Sequence, residues 1–231
     1  MSGYFIKYIA GSLGTTVYYI EKYNDLTSIP RLKRYTWVLE KKVVQHPTMA
    51  SLNPNSINTL RVVTVRNGTS IDIFECWLKA SIGDSHTDNV HSGGVCILVG
   101  EDGRLQGEAR QLLTGKAFSK HPLSGVKFSE FTVPFWDAVK DLVVNAHRHL
   151  YNVHSVGWDV AITPYGPLLI EGNSKWDMRI VPQLLGEAPL EKYEKYFGKK
   201  KRGPHSDKKR SSLRLRNRIK VCSCRPSADR V

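Results

Sequence analysis

Two short runs rich in β-branched and aromatic residues, 60–66 and 69–78, are separated only by Asn67-Gly68. This dipeptide is the strongest short-range hairpin signal, because the two turn positions call for positive φ and Asn and Gly tolerate it. Residues 95–99 and 104–111 flank Asp102-Gly103 in the same way. Consecutive hairpins imply an antiparallel sheet. Further strand-like runs cover 3–9, 16–23 and 36–45, the last stopping at His46-Pro47, and then 157–162 and 168–171. Helical period shows from Pro134, where Phe135, Val139, Leu142, Val143, Ala146 and Leu150 recur at spacings of three and four. A second helix is expected over 189–197. Strands dominate and one long helix covers a face, so the fold class is α+β.

With 231 residues and 41% hydrophobic content, the chain can bury one substantial core or two small lobes. Its formal charge of +13 is uneven. Residues 199–231 hold 13 Lys/Arg against Asp207 and Asp229, which leaves the body only +2. The basicity therefore belongs to a tail with few large apolar residues, expected to be disordered by itself. Such a tail either serves as a solvated extension or engages nucleic acid or an anionic membrane. Cys76 and Cys96 fall inside apolar runs, and Cys222-x-Cys224 lacks a second pair to complete a zinc site. No run approaches the ~20 apolar residues of a spanning helix, and the first ten residues lack a signal-peptide pattern. A soluble, cytoplasmic protein is expected.

Chemistry concentrates near the end of the body. If the strands around residues 163–167 form a hairpin centred on Tyr165, Asp159 faces Glu171, with a bulge at Gly166 able to shift the pairing by one. Opposed carboxylates only ~5 Å apart repel, so something positive should sit between them. Asn173, two residues beyond Glu171, points to the same face. Two carboxylates and an amide oxygen suit Mg²⁺, which draws its other ligands from water and substrate phosphates. The same residues also read as an ordinary polar hairpin end.

Three other segments carry two readings each. Lys7 precedes a loop containing Gly11, Ser12, Gly14 and Thr15. Its backbone N–H groups suit phosphate oxygens, although a plain hairpin loop looks the same and no Walker sequence is present. The strand 37–44 carries Glu40, Lys41 and Lys42 within apolar surroundings. It is either a lysine-protected edge strand or a hinge that offers backbone groups to an adenine edge. Arg61 lies in an apolar strand and calls for a carboxylate or phosphate partner, and Lys79 ends the neighbouring strand within reach of the same anion. His91, in segment 88–94, reads as a base or as a solvated loop histidine. No Ser-His-Asp or Cys-His set emerges.

Taken in order, these pieces resemble the nucleotide-binding part of an ATP-grasp enzyme, and more closely the sugar-transfer-associated group related to α-L-glutamate ligase. The segments that carry the resemblance are IKYIAGSLGTT, VQHPTMASLNPNSINTLRVVTV, DNVHSGG, HPLSGVKF, VPFWDAVK, GWDVAI and GPLLIEGNSKWD, spread over about residues 4–178. The resemblance implies an ATP-grasp-like body of two lobes built on antiparallel sheets, with a hinge-side lobe at 1–46, a metal-binding lobe at 47–198 and the tail at 199–231. It implies that Lys7 and the loop of Gly11, Ser12, Gly14 and Thr15 hold the ATP phosphates. Glu40, Lys41, Lys42 and Val43 would line the adenine, and Arg61, Lys79 and Asn89 would hold the γ-phosphate or an acyl phosphate. Asp159, Glu171 and Asn173 would bind Mg²⁺. The implied activity is ATP-dependent ligation of a carboxylate, small or glycan-linked, through an acyl phosphate, with polysaccharide or amino-acid conjugate synthesis as the setting. A non-catalytic ATP-binding remnant is the alternative.

The chain departs from the family pattern at its front. The phosphate loop begins within about ten residues of Met1, whereas the family ordinarily has a preceding α/β domain with a nucleotide-contacting lysine. The expectation is a fragment, a partner chain that supplies that half, or a reduced form. Leu13 also stands where relatives carry a small residue.

Overall fold

The computed structural model describes residues 3–8, 17–30, 32–83, 93–111, 114–176 and 190–198. Met1–Phe197 cluster as one compact unit. It contains two antiparallel sheets, in keeping with the α+β class. The smaller sheet has the order β2-β1-β3, from β1 (Tyr4–Tyr8), β2 (Val17–Ile20) and β3 (Trp37–Lys41). The larger has seven strands in the order β10-β9-β4-β5-β6-β7-β8. These are β4 (Thr59–Asn67), β5 (Ser70–Ala80), β6 (Val95–Val99), β7 (Leu105–Gln111), β8 (Ala117–Phe118), β9 (Ser155–Thr163) and β10 (Gly166–Asn173). Among the described residues three α-helices accompany them: α1 (Pro47–Ala50), α2 (Trp136–Arg148) and α3 (Leu190–Phe197). Among the described residues no helix is long and apolar enough to cross a membrane.

Strand alternation gives the larger sheet two different faces. Leu60, Val62, Cys76, Leu78, Val95, Ile97, Val156, Trp158, Val160 and Ile162 form the main core, which Val139 and Val143 of α2 cover. A smaller cluster, Val63, Val65, Phe74, Trp77, Cys96 and Trp176, lies on the opposite side, with Tyr196 and Phe197 of α3 packed against it. Cys76 and Cys96 are both buried, as their apolar surroundings implied. Burial, helped by the Glu75 charge, pushes the Cys76 thiol well above its ordinary value.

Three details differ from the sequence reading. In the β4–β5 hairpin Asn67 pairs with Ser70, so the turn positions are Gly68 and Thr69. Only Gly68 has positive φ, 59°, which is the pattern of a type II′ turn. Phe135 does not join the buried stripe of α2. It caps the helix at φ 56°, the one non-glycine residue described with positive φ, and its ring meets His46 edge-on with centroids 5.7 Å apart. Trp136 turns inward instead, and its indole N–H donates to the Glu101 carbonyl at 2.8 Å. Lower on α2 the stripe ends in a histidine. His147 Nε2 donates to the Val153 carbonyl at 3.0 Å, which leaves Nδ1 to accept from the Thr64 hydroxyl at 2.7 Å. Trp158 Nε1 donates to that hydroxyl oxygen at 2.8 Å and completes a buried polar chain.

Candidate functional site

The β9–β10 hairpin begins with Thr163 opposite Gly166 and keeps that register to Leu169 opposite Val160. A bulge at Ile170 then shifts it, so Glu171 stands opposite Asp159 and Asn173 opposite Gly157. The bulge lies in β10 rather than at Gly166, and the expected Asp159–Glu171 pairing is present. The expected counter-charge is present too, but on the other side of Asp159. In the ladder β4 lies beside β9, with Arg61 opposite Asp159, while β5 follows β4 with Trp77 opposite Arg61 and Lys79 two residues on. The row Glu171, Asp159, Arg61 and Lys79 therefore crosses four adjacent strands on one face of the sheet.

Geometry within the row is tight. Arg61 holds Asp159 with two parallel bonds, Nε to Oδ1 at 2.6 Å and Nη2 to Oδ2 at 3.0 Å. The Lys79 ammonium lies 3.2 Å from the same Oδ1. All three side chains are largely buried, with 16%, 12% and 10% exposed for Arg61, Lys79 and Asp159. Burial pushes the Asp159 carboxyl up. The charge of Lys79, with the hydrogen bonds and charge of Arg61, outweighs burial and leaves it below its ordinary 3.8. Asp159 is thus ionised. Among the described residues the Arg61 Nη1 makes no hydrogen bond.

Glu171 and Asn173 sit at the more open end, where the Asn173 amide donates to Glu171 Oε1 at 3.0 Å. That bond uses one Glu171 oxygen and spares the Asn173 Oδ1. The remaining oxygens, with an ionised Asp159 opposite, form a hard-oxygen donor set, so the residues present fit Mg²⁺. Gly157 makes room for this arrangement: a Cβ there would lie 2.6 Å from the Trp176 Cβ and 3.2 Å from the Arg61 Cδ. The indole of Trp176 lies against the strand and donates to Ser155 Oγ at 3.2 Å.

The smaller sheet contributes a second open face. Ile6, Ile20 and Ile29 fill its own core, so alternation puts Phe5, Lys7, Tyr19 and Glu40 on the other side. There Lys7 Nζ meets Glu40 Oε1 at 2.7 Å. β3 is an edge strand, as one reading of its lysines required, and residues 42–46 leave it without entering a ladder. The Lys42 N–H donates to the Gly3 carbonyl at 2.9 Å and the His46 N–H to the Ile162 carbonyl at 2.7 Å. Val43, Val44 and Gln45 make no backbone-to-backbone bond to another described residue. Their stretch borders a groove of about 380 Å³ that is also walled by Phe5, Tyr19 and Asn55.

Gln45, which the sequence reading assigned no role, fixes the far wall. Its Nε2 donates to the carbonyls of Asn53 and Ser56 at 2.9 and 2.8 Å, and its Oε1 accepts from the Asn58 N–H at 3.1 Å. Asn53 in turn donates to the Ser81 carbonyl at 3.0 Å, just past the end of β5. Four side-chain amides, Gln45, Asn53, Asn55 and Asn58, around prolines 47 and 54 in so short a stretch are the signal that would have found this clamp.

Of the expected site residues, the structure gathers Arg61, Lys79, Asp159, Glu171 and Asn173 in one region. It brings Lys7 against Glu40, with Lys41, Lys42 and Val43 along the groove. Gly11, Ser12, Gly14, Thr15 and Asn89 lie outside the described residues, as do Leu13, His91 and the tail. Among the described residues no three His, Cys, Asp or Glu side chains converge, so a metal here would rely on the amide and on substrate oxygens.

Residues 24–196 match the family described as sugar-transfer associated ATP-grasp. Among solved structures, the ATP-grasp ligase PsnB, complexed with a phosphomimetic variant of a minimal precursor, Mg and ADP, is similar at 14% identity and a TM-score of 0.41. That match covers 78% of this chain and 40% of PsnB. No curated protein matches.

Proposed function

The chain belongs to the sugar-transfer associated ATP-grasp family, and we propose that it is an ATP- and Mg²⁺-dependent carboxylate ligase working through an acyl phosphate. Membership alone supports a general ATP-dependent ligase. The observation that carries the finer reading is the row of Glu171, Asp159, Arg61 and Lys79, where two metal-type carboxylates are followed by two buried cations across one sheet face.

A carboxylate is a poor electrophile, since its charge repels nucleophiles and oxide is a bad leaving group. Attack of a carboxylate oxygen on the γ-phosphorus of ATP forms a new P–O bond, breaks the bond to the β–γ bridging oxygen and releases ADP. An amine or other nucleophile then adds to the acyl carbon, loses its proton and expels inorganic phosphate. Neither step needs a protein nucleophile. The demand is charge neutralisation and alignment. Arg61 supplies both, because Asp159 locks its guanidinium while Nη1 remains for a phosphoryl oxygen. Lys79 adds a point charge beside it. Glu171, Asn173 and Asp159 would hold Mg²⁺, which when bound neutralises phosphate charge. The backbone of Val43 and Val44, unpaired among the described residues, supports a purine in the adjoining groove, whose volume falls within the usual range for small-ligand sites. Lys7, the loop of Gly11, Ser12, Gly14 and Thr15, and Asn89 are assigned to the phosphates on family pattern.

The experiment is a thermal-shift titration of the full chain with Mg·ATP, followed by an ADP-release assay across carboxylate substrates. A shift that disappears in Glu171→Gln, with ADP release dependent on a carboxylate, is the expected result. A shift without carboxylate-dependent release would favour the non-catalytic remnant, and no shift at all would overturn the nucleotide assignment.

A further inference from the structure

Asp159, assigned above to the metal, already carries two cations. Its Oδ1 accepts from Arg61 Nε at 2.6 Å and also faces the Lys79 ammonium at 3.2 Å, while Oδ2 takes Arg61 Nη2. A carboxylate offers about four lone-pair directions, and three are engaged here. The two cations hold it in different ways. Arg61 is a planar fork, bonded at both oxygens and pre-organised by that geometry. Lys79 meets Asp159 at Oδ1 through a longer contact, from a flexible four-carbon stem, so of the two it is the cation able to turn from the carboxylate without disturbing it. Glu171 stands opposite Asp159 on β10, and its side of Asp159 carries no cation among the described ion pairs.

We propose that Lys79 is a stand-in cation: its ammonium holds the position on Asp159 that Mg²⁺ takes, and phosphate oxygens must draw it away before the metal can bind. This rests on the assignment of Asp159, Glu171 and Asn173 to Mg²⁺. A divalent ion entering while Lys79 remains would meet a positive charge within a few ångströms at a largely buried site, where Coulomb repulsion is strong. A polyphosphate offers the ammonium better acceptors. Once Lys79 turns to it, Asp159 regains a lone pair and unbalanced negative charge. Metal and nucleotide thereby help each other, and by linkage the coupling is reciprocal. The metal site is kept charge-balanced until nucleotide arrives, which disfavours occupation by metal alone.

The test uses Mn²⁺ as a paramagnetic probe and the full chain. Wild type is expected to bind Mn²⁺ weakly alone and far more tightly with ADP. Lys79→Met is expected to bind Mn²⁺ alone about tenfold more tightly or better, while its affinity for metal-free ADP, measured by calorimetry in chelator, falls about tenfold. Opposite signs on the two ligands are the signature, since a merely structural role for Lys79 would weaken both. Lys79→Gln, which keeps a polar tip, should show the same signs and serves if Lys79→Met does not fold. Unchanged or weaker Mn²⁺ binding in the folded variants would overturn the proposal. Glu171→Gln separates the two layers. If it loses Mn²⁺ binding in the presence of ADP while Lys79→Met gains nothing, only the stand-in role falls. If Glu171→Gln binds Mn²⁺ and ADP like wild type, the metal assignment itself is wrong.

Discussion

Replacing Asp159 by Asn removes an anion that two buried cations share and changes almost nothing in volume. Arg61, Lys79 and Asp159 expose only 16%, 12% and 10% of their side chains, so solvent screening recovers little of the loss. Taking one partner out of a buried pair leaves uncompensated charge and typically costs about 3–5 kcal/mol. For a unit of this size, where each kcal/mol moves the midpoint roughly 2–4 °C, that amounts to a fall of about 6–20 °C in Tm. Thermal and urea unfolding of the full chain without ligand measures it. Glu171→Gln, at an exposed position, should stay within about 0.5 kcal/mol in the same assay. The pH dependence gives a second check. The folded carboxyl lies below its ordinary 3.8, so its contribution is complete above that value and disappears as pH falls through the lowered folded value. The gap between wild type and Asp159→Asn should therefore close only at acid pH below 3.8. Adding Lys79→Met to Asp159→Asn should restore part of the loss, because one of the two buried cations that faced the carboxylate is gone. A loss under about 1 kcal/mol, or a gap already closing near neutrality, would refute the buried-trio argument.

Gly157→Ala puts a methyl against Trp176 and Arg61 and should destabilise by about 1–3 kcal/mol, seen in urea unfolding, with weaker nucleotide-induced stabilisation as Arg61 shifts. Phe135 sits at φ 56° with its ring on His46. Phe135→Gly loses the ring contact and relieves the backbone, whereas Phe135→Ala loses the ring and keeps the strain, so Gly should be the more stable variant by about 1 kcal/mol in thermal unfolding. Burial lowers both His121 and His147 from 6.5, opposed in each case by the hydrogen bond to a backbone carbonyl. Between those folded values and 6.5 the unfolded chain binds more protons, so stability rises with pH across that window and falls on acidification. A urea midpoint that stays flat as pH drops from 7 to 5 would contradict this.

Local signals were legible because local chemistry determines them. The dipeptides Asn67-Gly68 and Asp102-Gly103 marked two hairpins, and the period of Val139, Val143 and Ala146 marked α2. The corrections show where such signals stop. Asn67-Gly68 located the hairpin but not its turn residues, since register depends on which side chains must share a face with Val62 and Cys76. Phe135 fits the helical period by spacing, yet the residue after Pro134 is set by how the chain enters α2 from Val133, whose N–H donates to the Gly103 carbonyl at 2.9 Å. Half of the site could be read in the same local way. Asp159, Glu171 and Asn173 belong to one hairpin, so a two-residue period and a short turn suffice to align them.

The other half could not, because Arg61 and Asp159 are 98 residues apart. Their pairing requires the chain to leave β8 at one edge of the sheet, cross the main core as α2 and return with β9 beside β4. That order is a consequence of burial. The apolar stripe of α2 must cover Leu60, Val62 and Val160 on one face, and strand alternation then forces Arg61 and Asp159 together onto the other. The electrostatics of the site are therefore a by-product of where the core lies. A polar substitution on the α2-facing side, such as Val62→Thr or Val160→Thr, would disturb nucleotide binding only by destabilising the sheet, whereas changes on the opposite side act on charge directly. The distinction is measurable: stability and nucleotide affinity should fall together for the first group and separately for Glu171→Gln.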